Sequence, residues 1–331
     1  MERFALAAAV VLGFALTAAL CSLFVPLRRV LERREQNQQP VQPEQPRPAP
    51  LRAPLWGGLC AAAGTVAAVG VGWLAACVGQ PELLGSEGRL MTRLLTALAG
   101  SLAFGAVGLA EDLARMRSPA ALGLRRDARL LLEALAAAFV LLLLRAAGCL
   151  PRGLGVPGAG YVLLGSAVPF LWAVLMVALA ECARIAERDE GTVCGAAFVA
   201  MLALMMVEAG LGVSGLAVLP GALAGALVAL GLWAFPPARL GVGCCGSLLA
   251  AGAIGCIPLS LDMTSLTVPL ALPFWAAGGL LAAQLLCAKR TGKPLRCWVK
   301  KHKMSPETVF LCSFALSAVG YVLALALLRW C

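Results

Sequence analysis

Apolar residues in this chain come in long unbroken blocks rather than in the alternation of strands or the narrow stripe of a soluble helix. Ten blocks stand out: 4–25, 55–78, 91–110, 129–147, 161–180, 193–212, 214–234, 247–265, 267–287 and 308–328. Each is close to the roughly 20 apolar residues a helix needs to cross a bilayer. The pattern predicts an all-α polytopic membrane protein of about ten transmembrane helices, with residues 1–331 forming a single membrane domain. Several blocks are rich in Ala, Gly and Leu, which lets helices approach closely in lipid. The stretch 193–234 is interrupted only by Gly210, Gly212, Ser214 and Gly215, and reads either as two spans or as one span with a re-entrant turn.

The polar connections set the orientation. Odd-numbered connections hold 21 of the 27 Lys and Arg residues, including six in 26–54, five in 111–129 and seven in 289–303. Basic loops stay cytoplasmic, so both termini are expected outside. The first block is preceded by Met1-Glu2-Arg3, which is not net positive, and is followed by Arg28, Arg29, Arg33 and Arg34. That order predicts an uncleaved helix rather than a signal peptide. Residues 26–54 read as a basic, Gln/Pro-rich cytoplasmic linker.

Composition sharpens this picture. Hydrophobic residues make up 61% and charged residues 13%, with mean hydropathy +0.88, against about 25% charged in soluble domains. The net charge of +10 is accounted for by the cytoplasmic loops, so no nucleic-acid partner is expected. Membrane lipid and anionic phosphates are the natural partners of those loops. Most of the 13 cysteines fall inside apolar blocks, where Cys acts as a small hydrophobe. No CxxC pair occurs, and the vicinal Cys244-Cys245 is the exception of interest.

Carboxylates are scarce and clustered. Glu111-Asp112 follows the third block; Glu181, Glu187, Asp189 and Glu190 follow the fifth. Both groups fall on the expected cytoplasmic side. Carboxylates beside basic loops can hold Mg²⁺ and a diphosphate; they can equally be solvated helix ends paired with neighbouring arginines.

Motif order favours the first possibility. Arg52-Ala-Pro-Leu-Trp-Gly-Gly58 looks like TPxxGG, and Gly108-Leu-Ala-Glu-Asp-Leu113 like GxxDD, with Arg129 and Glu133 near a usual Lys and Gln. Glu181-Cys-Ala-Arg-Ile-Ala-Glu-Arg-Asp-Glu-Gly191 has the spacing of NxxNxxDGxDG. Pro237-Ala-Arg-Leu-Gly-Val-Gly-Cys-Cys-Gly-Ser247 follows PAKxFxGDxGS. On these segments the chain resembles the polyprenyl-phosphate N-acetylhexosamine-1-phosphate transferase superfamily (glycosyltransferase family 4), which includes phospho-N-acetylmuramoyl-pentapeptide transferase. The resemblance implies ten helices and Mg²⁺-dependent transfer of a sugar phosphate from a UDP-sugar to undecaprenyl phosphate in the bacterial cytoplasmic membrane. It implies catalytic positions at Glu111, Asp112, Glu187 and Glu190. Arg129, Arg184, Arg239 and His302 would meet the nucleotide or phosphate, and Glu111, Asp112 and Cys244 would fall at metal positions.

Departures from the pattern are chemical. Glu111 replaces the first Asp of the DD pair, Cys244 the Asp of the GD pair, and Arg184 and Arg188 an Asn and a Gly. Glu187 and Glu190 replace two aspartates, and His302 is out of register with the expected His-rich segment. A longer carboxylate is displaced in a near-octahedral Mg²⁺ shell, and a thiol is a soft ligand for a hard ion. The expectation is a degenerate, weakly active or inactive member serving as a homodimer or as a partner in envelope-polymer assembly. An active divergent transferase is the alternative. A small-solute transporter fits less well, because such proteins carry ionisable groups at mid-membrane.

Overall fold

The computed structural model describes residues 2–38, 56–79, 88–117, 123–151, 153–156, 160–163, 165, 167–187, 191–213, 215–235, 238–291 and 306–330. The chain runs through α1 (Glu2–Gln38), α2 (Gly57–Gly79), α3 (Gly88–Arg117) and α4 (Arg126–Ala146). A short hairpin, β1 (Gly153–Val156) and β2 (Gly160–Leu163), precedes α5 (Ala167–Ala186), α6 (Thr192–Gly210), α7 (Val218–Ala234) and α8 (Gly243–Ser260). A single 3₁₀ turn leads into α9 (Thr267–Leu270), α10 (Leu272–Thr291) and α11 (Pro306–Trp330). The protein is an all-α polytopic membrane fold with one small two-stranded addition.

Every apolar block lies mainly on helix, but the boundaries shift for local reasons. The fifth block, 161–180, begins in a strand: Gly153 pairs with Leu163 and Val156 with Gly160, antiparallel, and the helix starts only at Ala167. Gly-rich sequence around Pro157 favours a hairpin turn over a helical one. The long 193–234 block resolves into α6 and α7, parted at Gly212, which has φ 74° and so takes a conformation that a side chain would disfavour. The ninth block is bent by 63° between α9 and α10. Helix α1 continues to Gln38, into the segment read as linker.

Among the described residues, seven helices are individually long and apolar enough to cross a membrane, or eight with the bent α9–α10 pair. Helix α7 is apolar but has 17 residues, and α4 carries Arg126, Asp127, Arg129, Glu133 and Arg145.

Helix α4 shows how the bundle is organised. Its buried positions are Arg129, Glu133, Ala136, Ala137, Val140 and Leu144, while Leu131, Leu135, Phe139 and Leu142 are exposed. The charged and small groups of the buried face, with Val140 and Leu144, pack against protein, while the outward face is bulky and wholly apolar at these positions, as lipid as solvent favours. At the centre is α8, buried from Gly243 to Ser260 and packed against α2, α3, α5 and α6. Glycines set the distances. A Cβ on Gly108 would overlap the Cys244 carbonyl, and one on Gly58 would overlap the Gly246 amide. The Gly57 amide also donates to the Gly241 carbonyl at 3.2 Å, tying the start of α2 to the approach to α8.

Candidate functional site

The largest cluster of buried ionisable side chains among the described residues lies where α3 ends, α4 begins, α5 ends and α8 begins. Gly243 opens α8 with φ 71°, a turn that aims the next two amides out of the helix end. Asp112, on the last turns of α3, meets them. Cys244 N–H donates to Asp112 Oδ1 at 3.0 Å and Cys245 N–H to Oδ2 at 2.9 Å. The first amides of a helix have no intrahelical acceptors, and a carboxylate there also answers the positive end of the helix dipole. Asp112 is 1% exposed, so both of its oxygens are committed to the backbone.

Around this cap runs a chain of arginine–carboxylate pairs. Arg115 Nη2 donates to Glu111 Oε1 at 2.7 Å, and its Nη1 lies 3.7 Å from Glu187 Oε2 and 4.0 Å from Asp112 Oδ1. Arg129 Nε donates to Glu181 Oε1 at 2.7 Å, with Nη1 3.6 Å from Glu111 Oε1. Arg184 Nη2 donates to Glu181 Oε2 at 2.6 Å. The Cys244 thiol faces Glu187 Oε2 at 4.0 Å. Four atoms in this neighbourhood are buried without a hydrogen-bond partner: Glu111 Oε2, both oxygens of Glu133, and Arg184 Nε. Glu133 is fully buried within electrostatic reach of Arg129, Arg184, Glu111 and Glu181.

The structure therefore brings together Glu111, Asp112, Glu187, Cys244, Arg129 and Arg184. Arg239 stands apart: it is exposed before α8, and none of the ion pairs among the described residues includes it. Glu190, Arg188 and His302 lie outside the described residues. Sequence reasoning gave no site role to Arg115; it counted Glu181 only within the second carboxylate cluster and Glu133 only as a neighbour of a motif position. Their signal was helical spacing, Glu111 with Arg115 and Arg129 with Glu133 four apart, and Glu181 with Arg184 three apart.

Mg²⁺ needs several oxygens in tight octahedral array, and the described residues do not fit it. Asp112 is spent on two amides, Cys244 presents sulfur, and the Arg115 guanidinium lies among Glu111, Asp112 and Glu187. Among the described residues, no group of three or more His, Cys, Asp or Glu side chains is arranged to hold a metal ion.

Known proteins share this part of the chain. The family description "Glycosyl transferase family 4" matches residues 94–262, which run from α3 through α8 and contain every residue of the network. The chain belongs to glycosyl transferase family 4. A relative within reach is the phospho-N-acetylmuramoyl-pentapeptide-transferase of Desulforudis audaxviator (strain MP104C), 31% identical over 170 residues. That match covers 48% of this chain and 50% of the relative, so the chain spans about half the length of the relative it matches. The family match includes the segments 108–113, 181–191 and 237–247; the segment 52–58 and His302 lie outside it.

Proposed function

We propose that this chain is a multi-pass protein of the bacterial cytoplasmic membrane that keeps the sugar-phosphate transferase fold while its Mg²⁺-dependent transfer is absent or very weak. In this reading the bundle has ten spans, both termini outside, and the network of Glu111, Asp112, Arg115, Arg129, Glu181, Arg184 and Glu187 at the cytoplasmic end. The observation that carries it is the double hydrogen bond from the Cys244 and Cys245 amides to Asp112, with Arg115 beside it. A transferase of this class stabilises a diphosphate as an acceptor phosphate attacks, and electrostatics supplies much of that catalysis. Here the carboxylates are already neutralised from within. Removing one partner of such a buried pair strands the other charge, so opening the network to admit a hydrated dication is costly. The protein would then act through binding, as a homodimer or as a partner of envelope-polymer assembly. Among the described residues, the largest cluster of buried charges lies at one end of the bundle, and the other buried carboxylate, Glu208, lies near the opposite end of α6 rather than at its middle, which argues against a mid-membrane transport path.

A second reading, a divergent transferase acting on a UDP-sugar and undecaprenyl phosphate, has one observation in its favour. The unpartnered buried atoms of Glu111, Glu133 and Arg184 are groups that a bound polar ligand would satisfy. The guanidinium of Arg184 would then meet phosphate oxygens in place of a metal.

The test uses the purified full-length chain in lipid nanodiscs with UDP-N-acetylhexosamine and undecaprenyl phosphate, following UMP release with Mg²⁺, with Mn²⁺ and with chelator. Slow hydrogen exchange at the Cys244 and Cys245 amides certifies a folded site in the same sample. The expected result is release at background under all three conditions. Robust Mg²⁺-dependent release overturns the first reading. Release that survives chelator and disappears in Arg184→Ala supports the second.

A further inference from the structure

Helices α1 and α2 run antiparallel in a register fixed at several points. A Cβ on Gly72 would lie 3.0 Å from Ala9 Cβ, one on Gly64 would overlap the Thr17 hydroxyl, and Phe24 stacks on Trp56 with centroids 5.9 Å apart. Stepping one turn down α1 from Thr17 gives Cys21; stepping one turn back along α2 from Gly64 gives Cys60. The two cysteines therefore face one another one turn from the close Gly64–Thr17 approach. Their thiols are within hydrogen-bonding reach, both are free, and they are 0% and 2% exposed. Both lie about one turn from the same end of the bundle as the charged network, since Gly57 and Gly58 of α2 hold Gly241 and Gly246. A disulfide needs facing Cβ vectors and Cα atoms within about 7 Å, and the pair sits on facing positions of two helices brought close by Gly64 and Gly72.

We propose that Cys21 and Cys60 form a dithiol that closes reversibly to a disulfide when met by a small, uncharged two-electron thiol oxidant. This does not rest on the transferase reading. The chemistry balances within the pair and the oxidant. One thiol adds across the N=N bond of a diazenedicarboxamide, and the second sulfur attacks the first and expels the hydrazine. Two S–H bonds are lost, one S–S bond forms, and both hydrogens and both electrons leave on the reduced oxidant. The charge-free reagent matters because the pair is buried beneath the lipid-facing surface, where a charged oxidant is excluded. The crosslink joins α1 to α2 beside the contacts that seat the start of α8.

The experiment treats the purified full-length protein with diamide, denatures it, alkylates the remaining thiols and maps peptides without reduction. The expected product is a Cys21–Cys60 linked peptide, an intact mass lower by two hydrogens, and complete reversal by a reductant. Cys194 lies within electrostatic range of Cys21, and Cys245 within that of Cys60, so the same map reads the competing pairings. Links from Cys60 to Cys245 or from Cys21 to Cys194 in place of the expected one overturn the proposal. So does full alkylation of Cys21 and Cys60 under conditions in which the exposed Cys312 has reacted with diamide. Because the wild-type chain is used throughout, no variant that fails to fold stands between the result and its meaning.

Discussion

Asp112→Ala removes the acceptor of two backbone amides at once. The bonds are 3.0 and 2.9 Å and reach a carboxylate that is 1% exposed. Hydrogen bonds to a charged group contribute about 1.5–3 kcal/mol each, and a buried donor left without a partner costs a similar amount. The expected loss is therefore roughly 3–6 kcal/mol of folding stability. Asp112→Asn keeps one acceptor and turns an N–H₂ group toward the other amide, so about half of that loss is expected. Asp127, exposed in the first turn of α4, is the control: Asp127→Ala is expected within about 0.5 kcal/mol of wild type. Equilibrium unfolding in mixed micelles measures the differences. Hydrogen exchange of a peptide covering Gly243–Ser247 localises them, since the freed amides should exchange faster while the middle of α8 stays protected. If Asp112→Ala unfolds alongside Asp127→Ala, or if exchange at Cys244 and Cys245 is unchanged, the cap does not hold the start of α8 and the case against a metal site loses its footing.

Three other outcomes follow from the same geometry. Cys244→Asp with Glu111→Asp should give a protein whose melting temperature rises with Mg²⁺, because a new hard ligand faces Glu187; wild type should show no such rise, and the reverse pattern would contradict the account of the site. Gly108→Ala should lose most of its monodisperse yield on size exclusion, since the added methyl overlaps the Cys244 carbonyl and α3 and α8 are close-packed backbones with nowhere to shift; Gly70→Ala, which meets open space, should behave as wild type. Reporter fusions after Trp330 should give an external signal and fusions within 292–305 a cytoplasmic one; inverted signals would turn the charged network to the other side of the membrane.

The bundle was largely legible in the sequence because lipid imposes a simple demand: every buried backbone group must be satisfied within its own helix, and that writes long apolar blocks. Demands that lipid does not make left weaker traces. The hairpin at Gly153–Leu163 and the bend after α9 depend on local turns inside sequence that is still apolar, and α1 runs past its apolar block to Gln38. For the site, motif spacing picked out Glu111, Asp112, Glu187 and Cys244, because catalytic loops leave polar residues at fixed offsets. It did not say what Asp112 would hold. The partners are 132 and 133 positions away and are backbone amides, which carry no residue identity to read. Arg115 and Glu133 were visible as helical neighbours of flagged residues, but a charge at a helix end looks the same whether it faces water or closes a buried network.

Helix α8 touches no lipid: all of its residues are covered by α2, α3, α5 and α6 and their neighbours. Those four helices are all made before it on the ribosome. Because α8 is covered along its whole length, it reaches its final place only by packing among those four helices. A bundle without α8 would leave a groove with the close-approach positions Gly58, Gly108 and Ser101 uncovered and Asp112 without the Cys244 and Cys245 amides. A nascent chain halted before Gly243 would carry that groove and that carboxylate exposed within the membrane, a form that quality-control proteases could recognise and the completed protein would hide.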